Sequence, residues 1–223
     1  MLLELDAGER DDEPEELWAL FDVLNVACGG HAGDEASMAR IAAFCAAPAH
    51  VSRPRIGAHP SYPDREGFGR RTIAIAEGAL AVEIEQQCAA LARIAGDVRW
   101  MKPHGALYHD AAARPELARA IVRGAIAALG ARFAVIGPPA GALRDAATAA
   151  GLAYLREGFA DRGTRADGSL VPRGEPGALV TDPARAAEQA RALVERGGID
   201  AICVHGDTPG ALAIARAVRE ALG

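Results

Sequence analysis

The sequence predicts an α/β fold in which residues 1–223 form one domain, an irregular TIM-like (β/α) barrel of seven to eight strands. Short apolar runs alternate with longer, alanine-rich segments of helical periodicity, which is the pattern of a parallel sheet with right-handed crossovers. The runs are nearly continuous rather than alternating, as expected of strands buried on both faces. With seven or eight strands and no glycine-rich dinucleotide fingerprint, a barrel is favoured over an open doubly wound sheet. The absence of a Pro/Ser/Gly-rich linker favours a single domain.

Each apolar run predicts a strand. The strands are Leu2–Leu5, Val23–Ala27, Arg55–Ala58, Val98–Lys102, Phe133–Ile136, Leu152–Arg156, Ala178–Val180 (the weakest pattern) and Ala201–Val204. The predicted helices are Glu35–Ala47, Glu77–Ala95, Pro115–Leu129, Ala140–Ala150, Ala184–Arg196 and Pro209–Leu222. Asp34 and Asp182 stand where helix N-caps are expected, and Pro115 suits a first helical turn, where its missing N–H leaves no bond unmade.

Composition and charge exclude several classes of function. Hydrophobic residues make up 50% of the chain and charged residues 24%, which is ordinary globular usage. The formal net charge is −6 and the basic residues form no stripe, so neither nucleic acid nor an anionic membrane is expected as a partner. The four cysteines form no C-x-x-C pair, and no secretory signal or bilayer-spanning run is found. A cytoplasmic protein with reduced thiols is therefore expected.

Polar side chains collect where the predicted strands end. Five of the six histidines lie at or just after strand exits: His31, His59, His104, His109 and His205. In a (β/α) barrel the carboxyl ends of the strands converge on the face that holds the active site. A lone histidine at a strand end is usually structural, but four separate strand ends that each supply one favour an active site. His109 lies further from its strand and is expected to be peripheral.

Charged residues flank the same strand exits. They are Asp6 after the first strand, Lys102 at the end of the fourth, and Glu157, Asp161 and Arg162 after the sixth. A lysine on a buried strand needs a partner, and its ammonium could neutralise a phosphate or a developing oxyanion. Arg70 and Arg71 stand beside glycines in a long loop, a combination that suits a carboxylate or phosphate. Asp207 follows His205 and also fits a helix cap, which Thr208 could supply as well.

This set of residue types fits hydrolysis or acyl chemistry with proton transfers near neutral pH. No nucleophile elbow, H-E-x-x-H motif or Walker A loop is present, so any ATP is not held by the usual phosphate loop. Asp6 with two of the histidines His31, His59, His104 and His205 would make a hydrolytic zinc-type set. Because no helix carries two histidines at ligand spacing, no metal ligand is assigned, and a catalytic metal is left open.

Five motifs, in order, are "NVACGGHAGD", "IGAHPSYPDREGFGRR", "KPHGALYH", "EGFADR…DGSLVPR" and "ICVHGDTPGA". Together they resemble the LamB/YcsF family over essentially the whole chain. The resemblance implies a barrel of the glycoside hydrolase/deacetylase type. It also implies the role of the A-type component of 5-oxoprolinase, in which the 5-oxoproline lactam is opened to L-glutamate with ATP, together with subunits B and C. It implies ATP with Mg²⁺ for the complex and no bound organic cofactor; homo-oligomerisation is left open.

The resemblance also implies the site residues. The catalytic set is Asp6, His31, His59, Lys102, His104, Glu157, Asp161, His205 and Asp207, with Glu9 among the family's polar positions. The substrate- or phosphate-binding set is Arg70, Arg162 and Arg173, to which the loop pattern adds Arg71. Lys102 and the arginines would hold the substrate carboxylate and the phosphoryl group, while one or two histidines with Asp6 or Asp207 move protons and orient water. Two alternatives are a metal-dependent, deacetylase-like amidohydrolase that does not use ATP and a non-catalytic binding component of the complex.

The sequence departs from the family pattern at several positions. Glu4 stands where the family has asparagine, Gly30 where it has phenylalanine, and His109 where it has asparagine. The acidic stretch "RDDEPEE" replaces a glycine-rich one, and the segment before "ICVHGD" is shortened. A divergent member of this kind could act on a different lactam or amide.

Overall fold

A computed structural model describes residues 1–47, 54–165 and 169–223. Seven parallel strands close into a barrel in which each strand pairs with its sequence neighbours and the first pairs with the last. They are β1 (Leu2–Ala7), β2 (Val23–Ala27), β3 (Arg55–His59), β4 (Val98–Met101), β5 (Ala134–Gly137), β6 (Ala153–Phe159) and β7 (Ala201–His205). The predicted α/β barrel is confirmed.

Helices connect the strands. In the described ranges they are α1 (Glu15–Trp18), α2 (Glu35–Ala46), α3 (Glu77–Ala95), α4 (Gly105–Ala113), α5 (Pro115–Leu129), α6 (Ala142–Ala149), α7 (Pro183–Arg196) and α8 (Ala211–Leu222). The predicted caps Asp34 and Asp182 are confirmed, since each accepts a hydrogen bond from a backbone N–H of its first turn. Pro115 begins α5 as predicted. Across these ranges, no helix has the length and apolar character needed to cross a bilayer.

The prediction of a strand at Ala178–Val180 is wrong. Leu179 forms only an isolated antiparallel bridge with Arg162. β6 pairs directly with β7, Gly158 lying opposite Ile202, so no strand edge is left open for an eighth strand. The barrel therefore has seven strands.

Several helix starts differ from the expectation, those of α4 and α8 among them. α4 has no predicted counterpart, because it begins with Gly105 at a φ of +57° and no side chain caps it. α8 begins at Ala211 rather than Pro209, with Gly210 at its N-cap and no side-chain cap bond. The predicted cap by Asp207 or Thr208 is wrong, because both side chains are engaged elsewhere in the site.

The barrel interior changes from apolar to charged along the strands. Val23 and Trp100 belong to a small apolar cluster. Two residues further along the same strands, on the same face, stand Asn25 and Lys102. Lys102 contacts Asp6 of β1, and β1 is not a neighbour of β4, so this contact crosses the interior. Buried charge is thus concentrated at the carboxyl ends of the strands.

Candidate active site

The carboxyl ends of the strands border a cavity of about 420 Å³. Eight of the predicted site residues line it: Asp6, His59, Arg70, Lys102, His104, Arg162, Arg173 and His205. Tyr108, His109 and Phe159 complete part of the wall. The barrel therefore brings together residues that the sequence separates widely.

Four further predicted residues lie behind this wall. His31 stacks on His104, Glu157 pairs with Lys102, Asp161 bonds His205, and Asp207 pairs with Arg70. Arg71 differs, because its side chain is 60% exposed and pairs with Asp64, away from the residues that line the cavity.

Lys102 is the buried cation of the site, only 2% exposed. Its Nζ lies 2.8 Å from Asp6 Oδ1 and 3.1 Å from Cys203 Sγ, and it also pairs with Glu157. Burial disfavours the ammonium, but Asp6 and the neighbouring anionic groups outweigh burial and hold the pKa of Lys102 well above its usual value. Lys102 therefore remains charged at neutral pH.

The carboxylates around Lys102 differ in charge. Burial disfavours the Asp6 carboxylate, but His59 and Lys102 outweigh burial and hold the pKa of Asp6 well below its usual value. Burial raises the pKa of Glu4 well above its usual value despite the attraction of Lys102, whose Nζ is 3.9 Å away. Asn25 donates from Nδ2 to Glu4 Oε2 at 2.6 Å. The ion pair is thus Lys102 with Asp6, and Glu4 favours its neutral form.

Glu9 and three histidines form a second buried cluster. Glu9 Oε1 lies 3.0 Å from His31 Nε2 and 3.0 Å from His104 Nδ1. His104 Nδ1 lies 2.9 Å from His59 Nε2. The rings of His31 and His104 stack, with centroids 3.6 Å apart. Burial lowers the pKa of His31 to about 4 and also lowers the pKa of His104, so both favour the neutral form.

Two backbone carbonyls orient this cluster. Phe68 O accepts from His104 Nε2 at 3.0 Å, and Lys102 O accepts from His59 Nδ1 at 2.8 Å. Phe68 has a φ of +54°, a conformation uncommon for a residue with a side chain. Its ring also lies under the guanidinium of Arg70, 4.6 Å from the Cζ atom. Phe68 therefore connects the histidine cluster with the arginines of the rim.

Asp161 and His205 form a buried dyad. His205 donates from Nδ1 to Asp161 Oδ1 at 2.9 Å and from its backbone N–H to Oδ2 at 3.0 Å. Thr208 donates its hydroxyl to Oδ2 at 2.5 Å. Burial opposes the imidazolium, but Asp161 outweighs it and raises the pKa of His205. The other ring nitrogen, Nε2, lies 3.7 Å from Asp6 Oδ2, toward the cavity.

The rim of the cavity carries an excess of positive charge. Asp207 pairs with Arg70 at 2.5 Å and with Arg173 at 3.1 Å. Arg162 donates to the carbonyls of Ala178 and Val171 rather than to a carboxylate. Burial and the nearby Arg173 lower the pKa of Arg162. Two of the three guanidinium groups thus share the carboxylate of Asp207 while the third binds neutral carbonyls, an arrangement suited to an anionic ligand.

Comparison with known proteins shows the family of the chain. The sequence profile of the LamB/YcsF family matches residues 6–223. The chain belongs to the LamB/YcsF family. The A-type subunit of 5-oxoprolinase from Methylococcus capsulatus is 42% identical over 239 residues, covering 97% of this chain and 90% of the relative. The corresponding 5-oxoprolinase subunit of Nocardia farcinica is 44% identical, covering 92% and 87% respectively.

A solved structure of similar sequence has the same fold. The lactam utilization protein from Thermus thermophilus superposes with a TM-score of 0.87 at 33% identity and covers 100% of this chain and 95% of its own. An uncharacterised protein from Agrobacterium tumefaciens C58, 15% identical with a TM-score of 0.54, shares the fold alone.

Several residues of the LamB/YcsF site were missed by reasoning from the sequence. Tyr108 and Phe159 line the cavity, and the Phe159 ring stacks near His205 with centroids 5.6 Å apart. Phe68 carries no polar side chain, so no chemical signal marked it, although the flanking glycines in "GFG" indicated an unusual backbone. His109, expected to be peripheral, lines the cavity.

Proposed function

We propose that this LamB/YcsF protein is the A-type subunit of an ATP-dependent 5-oxoprolinase, which hydrolyses the lactam of 5-oxoproline to L-glutamate together with subunits B and C. Relatives that bear this subunit's name match it at 42% and 44% identity over nearly its whole length. The observation that carries the proposal is the cavity, in which a positively charged rim faces buried acid–base groups. The protein would act in the cytoplasm, where its four buried cysteines stay reduced.

The rim would bind the substrate carboxylate. A 5-oxoproline molecule carries one carboxylate beside a neutral lactam ring, and guanidinium groups bind carboxylates in a bidentate manner. Arg162 is the best placed, because it has no carboxylate partner of its own in the described structure and lies near Arg70 and Arg173. An anion would relieve the repulsion among these three cations.

The chemistry needs an activated lactam and a proton donor. Transfer of the γ-phosphoryl group of ATP to the lactam oxygen would make that oxygen a good leaving group, after which water adds to the lactam carbon. The C–N bond then breaks to leave an acyl phosphate, which a second water hydrolyses with release of inorganic phosphate, and the ring nitrogen takes up a proton. His205 is suited to donate it, because Asp161 holds its ring through Nδ1 and raises its pKa. Lys102, charged and 2.8 Å from Asp6, would stabilise negative charge that develops on oxygen.

The test is glutamate formation by the chain co-purified with B- and C-type partner subunits, with and without ATP. We expect glutamate only with ATP. His205→Gln should lower kcat by about 10²- to 10⁴-fold, the usual effect of a lost general acid or base. Arg162→Gln should chiefly raise the KM for 5-oxoproline. Arg99→Ala is the matched control, since Arg99 is half-exposed and pairs with Asp97 away from the cavity.

The outcomes separate the alternatives. ATP-coupled glutamate formation that both site variants leave unchanged would instead identify the chain as a non-catalytic binding component. The second candidate is a metal-dependent amidohydrolase that does not use ATP, which the cluster of Glu9, His31, His59 and His104 favours. Chelator-sensitive hydrolysis of a lactam or an N-acyl compound without ATP would support that candidate and contradict the first.

A further inference from the structure

Four strand exits deliver metal-binding side chains to one point. Glu9 follows β1, His31 follows β2, His59 ends β3, and His104 precedes α4 after β4. One donor atom from each lies within 4.8 Å of all the others. The side chains of Glu9 and His31 have no exposure, and those of His59 and His104 are 1% and 5% exposed. Three imidazoles around one carboxylate therefore share one buried space.

The spacing of the donor atoms matches a coordination shell. With metal–nitrogen and metal–oxygen distances of about 2.0–2.1 Å, tetrahedral ligand atoms lie about 3.3 Å apart. Glu9 Oε1 is 3.0 Å from His31 Nε2, 3.0 Å from His104 Nδ1 and 3.7 Å from His59 Nε2. His104 Nδ1 and His59 Nε2 are 2.9 Å apart. A cation at the centre would need only small movements of these side chains.

The tautomers of two histidines leave lone pairs directed at the centre. A carbonyl oxygen can only accept, so Phe68 O requires a proton on His104 Nε2, and Lys102 O requires one on His59 Nδ1. In the neutral rings, His104 Nδ1 and His59 Nε2 are then both acceptors, yet they face each other beside the Glu9 carboxylate. Three acceptors in contact repel one another unless a proton or a metal cation lies between them. A hydrogen bond from the other ring nitrogen to a carbonyl is also the usual support of a metal-bound histidine.

Two atoms of the cluster are left without a hydrogen-bond partner among the described residues. They are His31 Nδ1 and Glu9 Oε2, both fully buried. A buried carboxylate oxygen without a partner is costly, and coordination of the Glu9 carboxylate to a cation would compensate that cost.

We propose that Glu9, His31, His59 and His104 bind one divalent transition-metal ion of the zinc type. Three imidazole nitrogens and one carboxylate oxygen suit Zn²⁺ or Co²⁺ rather than Mg²⁺, which prefers oxygen ligands and water. Asp6, whose Oδ2 is 3.4 Å from His59 Nε2, places a second carboxylate beside these ligands. His59 and His104 also line the cavity, which gives the ion a path of entry.

Two other groups of potential ligands are excluded by a cation that is already present. Asp6, Cys203 and His205 form one such group, and Glu4, Glu157 and Cys203 form the other. Lys102 Nζ lies 2.8 Å from Asp6 and 3.1 Å from Cys203 and also pairs with Glu157. A metal ion there would meet the ammonium of Lys102, whereas no lysine or arginine pairs with Glu9 in the described part of the chain.

The test measures metal directly, without an activity assay, so it does not depend on the proposed function. The full chain is freed of metal with chelator and titrated with Zn²⁺ and Co²⁺, with Mg²⁺ in parallel, without nucleotide. We expect one equivalent of Zn²⁺ by elemental analysis, a visible Co²⁺ spectrum that Zn²⁺ abolishes, a higher Tm with Zn²⁺, and no competition by Mg²⁺. Glu9→Gln and His104→Ala should each weaken Zn²⁺ binding more than about 100-fold, since even outer-shell partners account for about 10- to 100-fold.

A matched control and a second measurement keep the test decisive. His109→Ala removes a histidine that lines the same cavity but lies outside the four-residue cluster, and it should retain the metal. X-ray absorption of the Co²⁺-loaded wild-type chain should show nitrogen and oxygen ligands only, whether or not the variants fold. Sulfur ligation would point to Cys203 and overturn the assignment. Absence of metal uptake by the folded wild-type chain, or uptake unchanged in both cluster variants, would also overturn it.

Discussion

Replacing Asp161 by asparagine tests whether the dyad with His205 is ionic. Asp161 has no solvent exposure and accepts three hydrogen bonds, two of them from His205 and one from Thr208. The asparagine oxygen can keep the bonds from the His205 backbone and the Thr208 hydroxyl but loses the charge-assisted bond to Nδ1. That bond is worth about 1.5–3 kcal/mol, and breaking a buried ion pair costs about 3–5 kcal/mol. We expect a loss of about 3 kcal/mol at mildly acidic pH.

The pH dependence follows from the directions of the two pKa shifts. The pKa of His205 is raised, so its contribution to stability is complete below its unfolded value of about 6.5 and is lost as pH rises through the folded value. The pKa of Asp161 is lowered, so its contribution is present above about 3.9 and is lost as pH falls through the folded value. The advantage of the wild type over Asp161→Asn is therefore largest at about pH 6 and shrinks toward about pH 9.

The assay is urea unfolding across this pH range, supported by thermal melts. A loss of about 3 kcal/mol corresponds to a decrease in Tm of about 6–12 °C for a chain of this length. Thr208→Val is the matched control, because it removes one hydrogen bond to Asp161 without removing charge. It should cost about 1 kcal/mol at every pH. If the Asp161→Asn deficit is equally large at both ends of the range, the dyad is not ionic and the argument fails.

Three further substitutions test other parts of the site. Lys102→Met should lower the free energy of unfolding by about 3–5 kcal/mol in urea, because it leaves buried carboxylates without their cation. Gly105→Ala should lower the free energy of unfolding by about 1–3 kcal/mol, since the φ of Gly105 is +57° and a backbone oxygen lies 2.5 Å from the added Cβ. Gly78→Ala is the control, because the added Cβ lies in open space on α3, and it should be neutral or stabilising. Asp200→Asn should cost at most about 1 kcal/mol at neutral pH, because its ion pair with Arg156 is more than a third exposed. The hydrogen bonds from Arg156 lower the pKa of Asp200 to about 2. In a pH series of urea midpoints, the stability difference between the wild type and Asp200→Asn should therefore persist into acid and disappear as pH falls through about 2.

The periodic parts of the fold were predictable because burial on both faces of a strand leaves a continuous apolar run. Val23–Ala27 is buried along its whole length and was predicted with its observed bounds. The α4 helix was not predictable from its start, because His104 and Gly105 take their conformation from tertiary contacts: His104 N–H donates to Pro60 O, and Ala106 N–H donates to Gly69 O. Local start signals are absent where the surrounding structure, rather than a capping side chain, positions a helix.

The sequence predicted that the histidines belong to one site but not which residues each of them contacts. Their positions at strand exits indicated one shared face, and His59, His104 and His205 do line one cavity. The sequence could not show that His31 and His59 lie with Glu9 while His205 lies with Asp161, because that division depends on the order of the strands around the barrel and on the tertiary contacts of the loops. Nor could it show that Lys102 is surrounded by carboxylates, which makes it a poor candidate for direct contact with a substrate carboxylate.

The partner of His205 shows how strand register, rather than sequence distance, organises this site. Asp207 is two residues from His205, and Asp161 is 44 residues away, yet Asp161 bonds the ring. β6 and β7 pair with Phe159 opposite Cys203, so Asp161 and His205, each two residues further along, are carried side by side. Asp207, released from His205, instead pairs with the rim arginines Arg70 and Arg173. His205 ends β7 and Asp207 lies in the turn that follows, so the histidine of the dyad and the carboxylate that pairs with the rim arginines are close in the chain. A substrate anion that neutralises Arg173 would remove a repulsion that lowers the pKa of His205, and this would couple anion binding to proton transfer through electrostatics.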